Sequence, residues 1–196
     1  MTDVQSLSRA LTLKALTRES HDQLDAYITG VASFQTLEAY GRFLRVQHRF
    51  HRDIDAVYAD AALAAALPGL KERRRLPSIL RDMADLGLAP PRIDVPPLFG
   101  PGATLNVAHA LGWLYVAEGS NMGAALLRKQ AARLGLSDEH GARHLAPAPE
   151  GPAAHWRSFT TALDAVRLPA RAEPRVIEGA EAAFRQVHAY AVEHLG

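Results

Sequence analysis

Residues 104–134 read as one long apolar helix whose interior carries two glycines four residues apart, Gly119 and Gly123. Each glycine in a helix interior costs about 1 kcal/mol relative to alanine. A spacing of four puts both on one face. A helix that accepts this twice on one face lets something approach its backbone closely. That partner is another helix or a large flat ligand, and the pair also permits a kink. Ala108, Gly112, Tyr115, Gly119 and Gly123 form a single stripe, small except for Tyr115.

The rest of the chain is helical in period almost throughout, with no run that alternates as a strand would. Helices are predicted over 8–28, from residue 35 through 57, and over 61–66, 75–86, 153–166 and 175–195. Pro68, Gly69, Gly87, the proline-rich stretch 89–102, the turn 136–140 and Pro147, Pro152, Pro169 and Pro174 separate them. The expected architecture is one all-α domain over 1–196 with six to eight helices, residues 1–7 being flexible. A net charge of +1 gives no electrostatic case for nucleic acid. No stretch reads as a membrane span. The first ten residues lack an apolar signal core, so a cytoplasmic monomer is expected. With no cysteine, disulfides, thiolate ligands and covalent c-type heme attachment are excluded.

On the first predicted helix, Lys14, Thr17, His21, Leu24 and Ile28 share one face. His21 is therefore expected level with core-facing leucine and isoleucine. An imidazole on an apolar face suits an axial heme-iron ligand, and equally a satisfied, half-buried histidine. Asp25, one turn on, is expected to accept a hydrogen bond from the other ring nitrogen, directly or through water. Lys14 lies two turns earlier, roughly 10 Å along the axis. That matches the reach from a porphyrin centre to its propionates. Against such a ligand, the glycines would bring backbone to the oxygen side. Ser120 and Asn121 beside them could order water there.

The stretches Thr17-Arg18-Glu19-Ser20-His21-Asp22-Gln23-Leu24 and Gly112-Trp113-Leu114-Tyr115-Val116-Ala117-Glu118-Gly119-Ser120-Asn121-Met122-Gly123-Ala124-Ala125 resemble the bacterial biliverdin-producing heme oxygenases. The likeness continues through Gly141-Ala142-Arg143-His144-Leu145 and Trp156-Arg157-Ser158-Phe159, and spans about residues 9–190. The resemblance implies an all-helical fold with heme sandwiched between a proximal helix and a kinked distal helix. It implies cleavage of heme b at a meso carbon, with dioxygen and electrons from a reductase or ferredoxin-type donor. The products would be biliverdin, carbon monoxide and ferrous iron. His21 matches the proximal ligand, Gly119 and Gly123 the distal glycines, and Lys14 a basic residue near the propionates. Mammalian members have an aspartate where Ser120 stands, and the bacterial group has serine. The oxygen-side water would then be held by Asn121 and backbone carbonyls.

Arg128 and Lys129 follow the distal stripe and are further propionate candidates, as are Arg143, Arg175 and Arg185. Phe184 is a candidate to pack on the porphyrin. His48 and His51, flanked by Arg45, Arg49 and Arg52, read as a solvated face. Arg73 to Arg75 read as an exposed run, and His140, His144 and His155 as surface or loop residues. The absence of any Glu-x-x-His pair speaks against a di-iron carboxylate bundle. Beside the enzyme stand two other readings: a non-catalytic heme carrier or sensor, and a helical interaction protein whose glycines serve packing alone.

Overall fold

The computed structural model of the protein describes residues 8–31 and 34–196; the flexibility expected of residues 1–7 lies outside the described residues. Among these, nine α-helices occur: α1 (Arg9–Leu16), α2 (Arg18–Val31), α3 (Leu37–Ala59), α4 (Ala61–Ala66), α5 (Leu76–Asp85), α6 (Val107–Gly119), α7 (Ala124–Arg133), α8 (Pro152–Ala165) and α9 (Glu173–Leu195). Two isolated bridges, Ser137 to His140 and Ser137 to Gly141, are the only β pairing among the described residues, so the fold is all-α. Among these residues no helix is long and apolar enough to cross a membrane.

The count exceeds the expectation because two predicted helices are each split. The first breaks at Thr17. Its hydroxyl donates back to the Leu13 carbonyl at 2.8 Å, competing with the helix bond and bending the chain. Helical bonding resumes with His21 N–H donating to the Thr17 carbonyl. The second, placed at 104–134, starts only at Val107, because Asn106 caps it by accepting from the His109 N–H. It breaks at Ser120–Met122, where one 3-10 turn replaces the α-helix between the two glycines. The kink that the glycines permit is thus present.

Side chains and backbone specify the other ends. Ser8, Thr36 and Asp60 accept N–H bonds at the starts of α1, α3 and α4. Gly87 and Gly135 adopt positive φ just past α5 and α7. In each case the following residue bonds back to the helix, Leu88 to Met83 and Leu136 to Ala131, which satisfies carbonyls that would otherwise be orphaned.

The core is organised around α6, which is buried on every side from Ala110 to Glu118. Helix α9 runs along it, and α2 and α3 also pack on α9. The α6–α9 crossing is glycine to glycine: a methyl on Gly112 would lie 2.8 Å from the Gly179 carbonyl carbon, and one on Gly179 2.9 Å from that of His109. Leu111 and Leu114 are fully buried there, each contributing about 1.5–3 kcal/mol of transfer free energy. Trp113 stacks on Phe50 with centroids 5.8 Å apart. A second apolar cluster, including Tyr40, Phe43, Ile79 and Met83, joins α3 to α5 and the segment after α7. Arg9 ties the chain's start to this frame. It donates to Glu173 at 2.7 and 3.0 Å, to the Val166 carbonyl at 2.9 Å and to the Leu163 carbonyl.

Candidate functional site

The stripe read as one surface divides into two. Gly112 is closed by α9. Gly119 and Gly123 are open. A methyl on Gly119 would meet only the edge of the Trp156 ring at 3.6 Å, and one on Gly123 only the Ser120 carbonyl oxygen at 3.8 Å. These are ordinary contact distances. Close backbone packing therefore accounts for Gly112 and Gly179, whereas Gly119 and Gly123 have room for a side chain. Ser120 turns its hydroxyl inward, donating to the Ala117 carbonyl at 2.7 Å. The amide nitrogen of Asn121 is buried and has no hydrogen-bond partner among the described residues. Asn121 borders a cavity of about 50 Å³ together with Arg75, Arg128 and His155.

His21 does not face the core. Its side chain is 64% exposed. Leu24 and Ile28 on the same face are only half-buried, and α2 has no buried residue at all. The imidazole edge rests on Phe184 of α9 in a T-shaped contact, centroids 6.1 Å apart, so Phe184 lies beneath His21 in the α9 floor. The carboxylate meeting the ring is Asp22, 3.3 Å from Nδ1, and not Asp25, which is exposed. Asp25 lies one full turn on, whereas the neighbouring Asp22 carboxylate reaches the ring directly. Lys14 is exposed on the last turn of α1.

The other propionate candidates differ in availability. Arg128 is held by Asp138, donating from Nε at 2.6 Å, and this hydrogen bond raises its pKa. Arg143 is committed to Asp82 and Asp85. Arg175 pairs with Glu178 at 2.6 Å. Arg185 and Lys129 are exposed, with Arg185 4.0 Å from Glu181.

Several polar residues expected on the surface are interior. His48 and His51 are buried, because α3 is covered by α5, α6 and α9 on more than one side. Burial pushes the His51 pKa down to about 3, with the Arg75 cation adding to it. His144 is also buried. Its Nδ1 lies 2.8 Å from Asp82, which also accepts the backbone N–H groups of Arg143 and His144. Burial alone would raise the Asp82 pKa, but these hydrogen bonds outweigh it and hold the carboxyl below its usual value. The Arg73–Arg75 run is likewise engaged: Arg73 with Glu118, Arg74 with Asp55, and Arg75 with the His144 carbonyl. His155 is half-buried, its Nδ1 2.7 Å from Glu150 and its Nε2 3.6 Å from Glu118; His140 is exposed as expected.

Glu118 is the site feature that the pattern reading passed over. Its signal was one acidic residue ending an otherwise uncharged helix. It is 2% exposed, and its carboxylate accepts from Tyr58 Oη and Arg73 Nη1, both at 2.9 Å.

The fold is all-helical and presents an accessible imidazole on α2 and an open, glycine-bearing break between α6 and α7. The sequence profile described as heme oxygenase matches residues 7–191, and the chain belongs to the heme oxygenase family. It is 39% identical over 178 residues to heme oxygenase PigA of Pseudomonas aeruginosa, covering 91% of this chain and 88% of that one. The structure of the NO- and CO-bound heme oxygenase from Neisseria meningitidis superimposes with a TM-score of 0.88 at 41% identity, covering 97% and 94% of the two chains. The heme oxygenase from Leptospira interrogans, 18% identical, shares the fold with a TM-score of 0.74, over 95% of this chain and 100% of that one. The protein is an enzyme of heme degradation.

Proposed function

We propose that heme is held with His21 on its iron and the backbone of Gly119–Gly123 across the opposite face, and is opened to biliverdin, carbon monoxide and ferrous iron. What carries this reading is the contrast between glycines in one helix: Gly112 is filled by α9, while Gly119 and Gly123 have ordinary contacts only. The space beside Gly119 and Gly123, which no packing fills, is explained by a ligand that needs backbone proximity. Bound heme supplies both the iron that activates dioxygen and the ring that is cleaved.

The chain's residues orient and screen. Asp22 at Nδ1 fixes the His21 tautomer, leaving Nε2 as the nitrogen for iron, and Phe184 supports the ring edge. Lys14, free of an ion pair among the described residues, is the favoured propionate partner. Arg128 and Asp25 take lesser parts: the first is held by Asp138 and the second stands off the ring. Because the Ser120 hydroxyl is turned inward, the Asn121 amide is the polar side chain positioned to hold water behind the glycines. Dioxygen and an external reductase or ferredoxin-type donor complete the reaction. The chain acts as a cytoplasmic monomer formed by one domain.

The experiment is heme addition followed by ascorbate or a reductase under air. Loss of the Soret band with growth of a biliverdin spectrum is expected. A stable oxy or ferrous complex that never turns over would instead identify a carrier or sensor. Gly119→Leu is expected to hinder oxygen binding or shift the site of ring opening; unchanged turnover and product would remove the glycines from the reaction.

A further inference from the structure

Glu118 is the penultimate residue of α6, directly before Gly119 and the open glycine segment. Its carboxylate is gripped from three directions: Tyr58 on α3 and Arg73 on the turn after α4, each at 2.9 Å, and His155 on α8, with Nε2 at 3.6 Å. Arg73 carries the grip further. It donates to the His155 carbonyl at 3.2 Å and to Ser158 Oγ at 2.5 Å, and its guanidinium lies 5.6 Å from the centre of the Phe159 ring. The next residue of α8, Trp156, presents the ring that borders Gly119, and it also packs on Tyr115 with centroids 5.5 Å apart. One carboxylate therefore joins the end of α6 to α3, to the turn at Arg73 and to the helix that supplies the neighbour of Gly119.

Stability alone does not account for this arrangement. A buried ion pair in an apolar helix loses much of its Coulomb gain to desolvation, and well-packed apolar replacements are often neutral or better. Such a group is better explained by what it fixes. We infer that Glu118 is a positioning residue for heme cleavage: it sets where the backbone of Gly119–Gly123 stands relative to the bound heme. This rests on the heme-facing reading of those glycines.

The test compares Glu118→Met, which removes the charge at similar volume, with Glu118→Gln, which keeps an acceptor for Tyr58. In the heme-free protein, hydrogen exchange is read residue by residue. Glu118→Met is expected to lower protection of amides 119–124 by about tenfold while α3 and α9 keep theirs. In the ferric heme complex, the midpoint of the acid–alkaline spectral transition is expected to move by about half a pH unit, and Glu118→Gln is expected to restore most of both effects. Unchanged protection at 119–124 in folded Glu118→Met, or a uniform fall across the molecule, would overturn the inference. Should Glu118→Met not fold, Tyr58→Phe removes one arm alone, and the same criteria apply. Gly119→Leu separates the two levels. If it leaves the heme spectrum untouched, the heme-facing reading fails. If it perturbs the spectrum while the Glu118 variants change nothing, only the positioning role fails.

Discussion

Gly112 of α6 and Gly179 of α9 cross with no side chain between them, so that a methyl on the first would lie 2.8 Å from the carbonyl carbon of the second. Backbone cannot yield as a flexible side chain can. Gly112→Ala or Gly179→Ala is therefore expected to lower stability by about 3 kcal/mol or more. Gly119→Ala meets only a tryptophan edge at ordinary contact distance and keeps helical backbone angles, so its apoprotein is expected to be no less stable. Urea unfolding of the three heme-free variants checks the contrast.

His21→Ala removes a mostly exposed ring that has one hydrogen-bond contact, with its neighbour. The heme-free protein is expected to keep its stability within about 0.5 kcal/mol. The Soret and ligand-field bands of the heme-treated protein are expected to change, and added imidazole to restore them in part. Paired thermal melts and absorption spectra measure both halves.

Asp82 has no exposed surface and holds two backbone N–H groups and the His144 ring. Asp82→Asn leaves that arrangement without its charge and is expected to cost about 3–5 kcal/mol. Because the folded carboxyl sits below its ordinary value of 3.8, its contribution is present above that pH and is lost as pH falls through the folded pKa. The stability gap between wild type and Asp82→Asn, read by chemical unfolding, should narrow below about pH 4.

His155 behaves in the opposite sense. The nearby carboxylates of Glu118 and Glu150 raise its pKa above the ordinary 6.5. Its stabilisation is complete below that value and disappears as pH rises through the folded pKa. The difference in melting temperature between wild type and His155→Gln is therefore expected to be largest in mildly acidic buffer and to shrink in alkaline buffer. A difference that grows with pH would contradict the Glu118 contact.

What could be read from the sequence is what is local. The 3.6-residue period and the proline and glycine punctuation gave α4, α5, α8 and α9 to within a few residues. The spacing of Gly119 and Gly123 marked the kink, since four residues along a helix are one turn. The break at Thr17 escaped because the periodic pattern runs straight through it; only the side-chain bond to the preceding turn reveals it. The polar interior was hidden for another reason. Arg73 and Glu118 are 45 positions apart and Asp82 and His144 62, so each pair looks like two unrelated surface charges until the fold joins them. The stripe containing Gly112 was misread as uniform because one sequence pattern serves both helix packing and ligand approach. Only the position of α9 tells them apart.

Arg9 fixes the beginning of α1 to the end of α8 and the start of α9 through four hydrogen bonds, and the chain bends at Thr17 before α2 begins. The helix bearing His21 thus leaves a fastened abutment as a lightly seated span, with none of its own residues buried. Substitutions along its outer face can retune how the imidazole is presented while the folding free energy, held in α3, α6 and α9, is left almost untouched. On the proposed role of His21, α2 is therefore the helix in which variation, natural or designed, carries least risk to the fold.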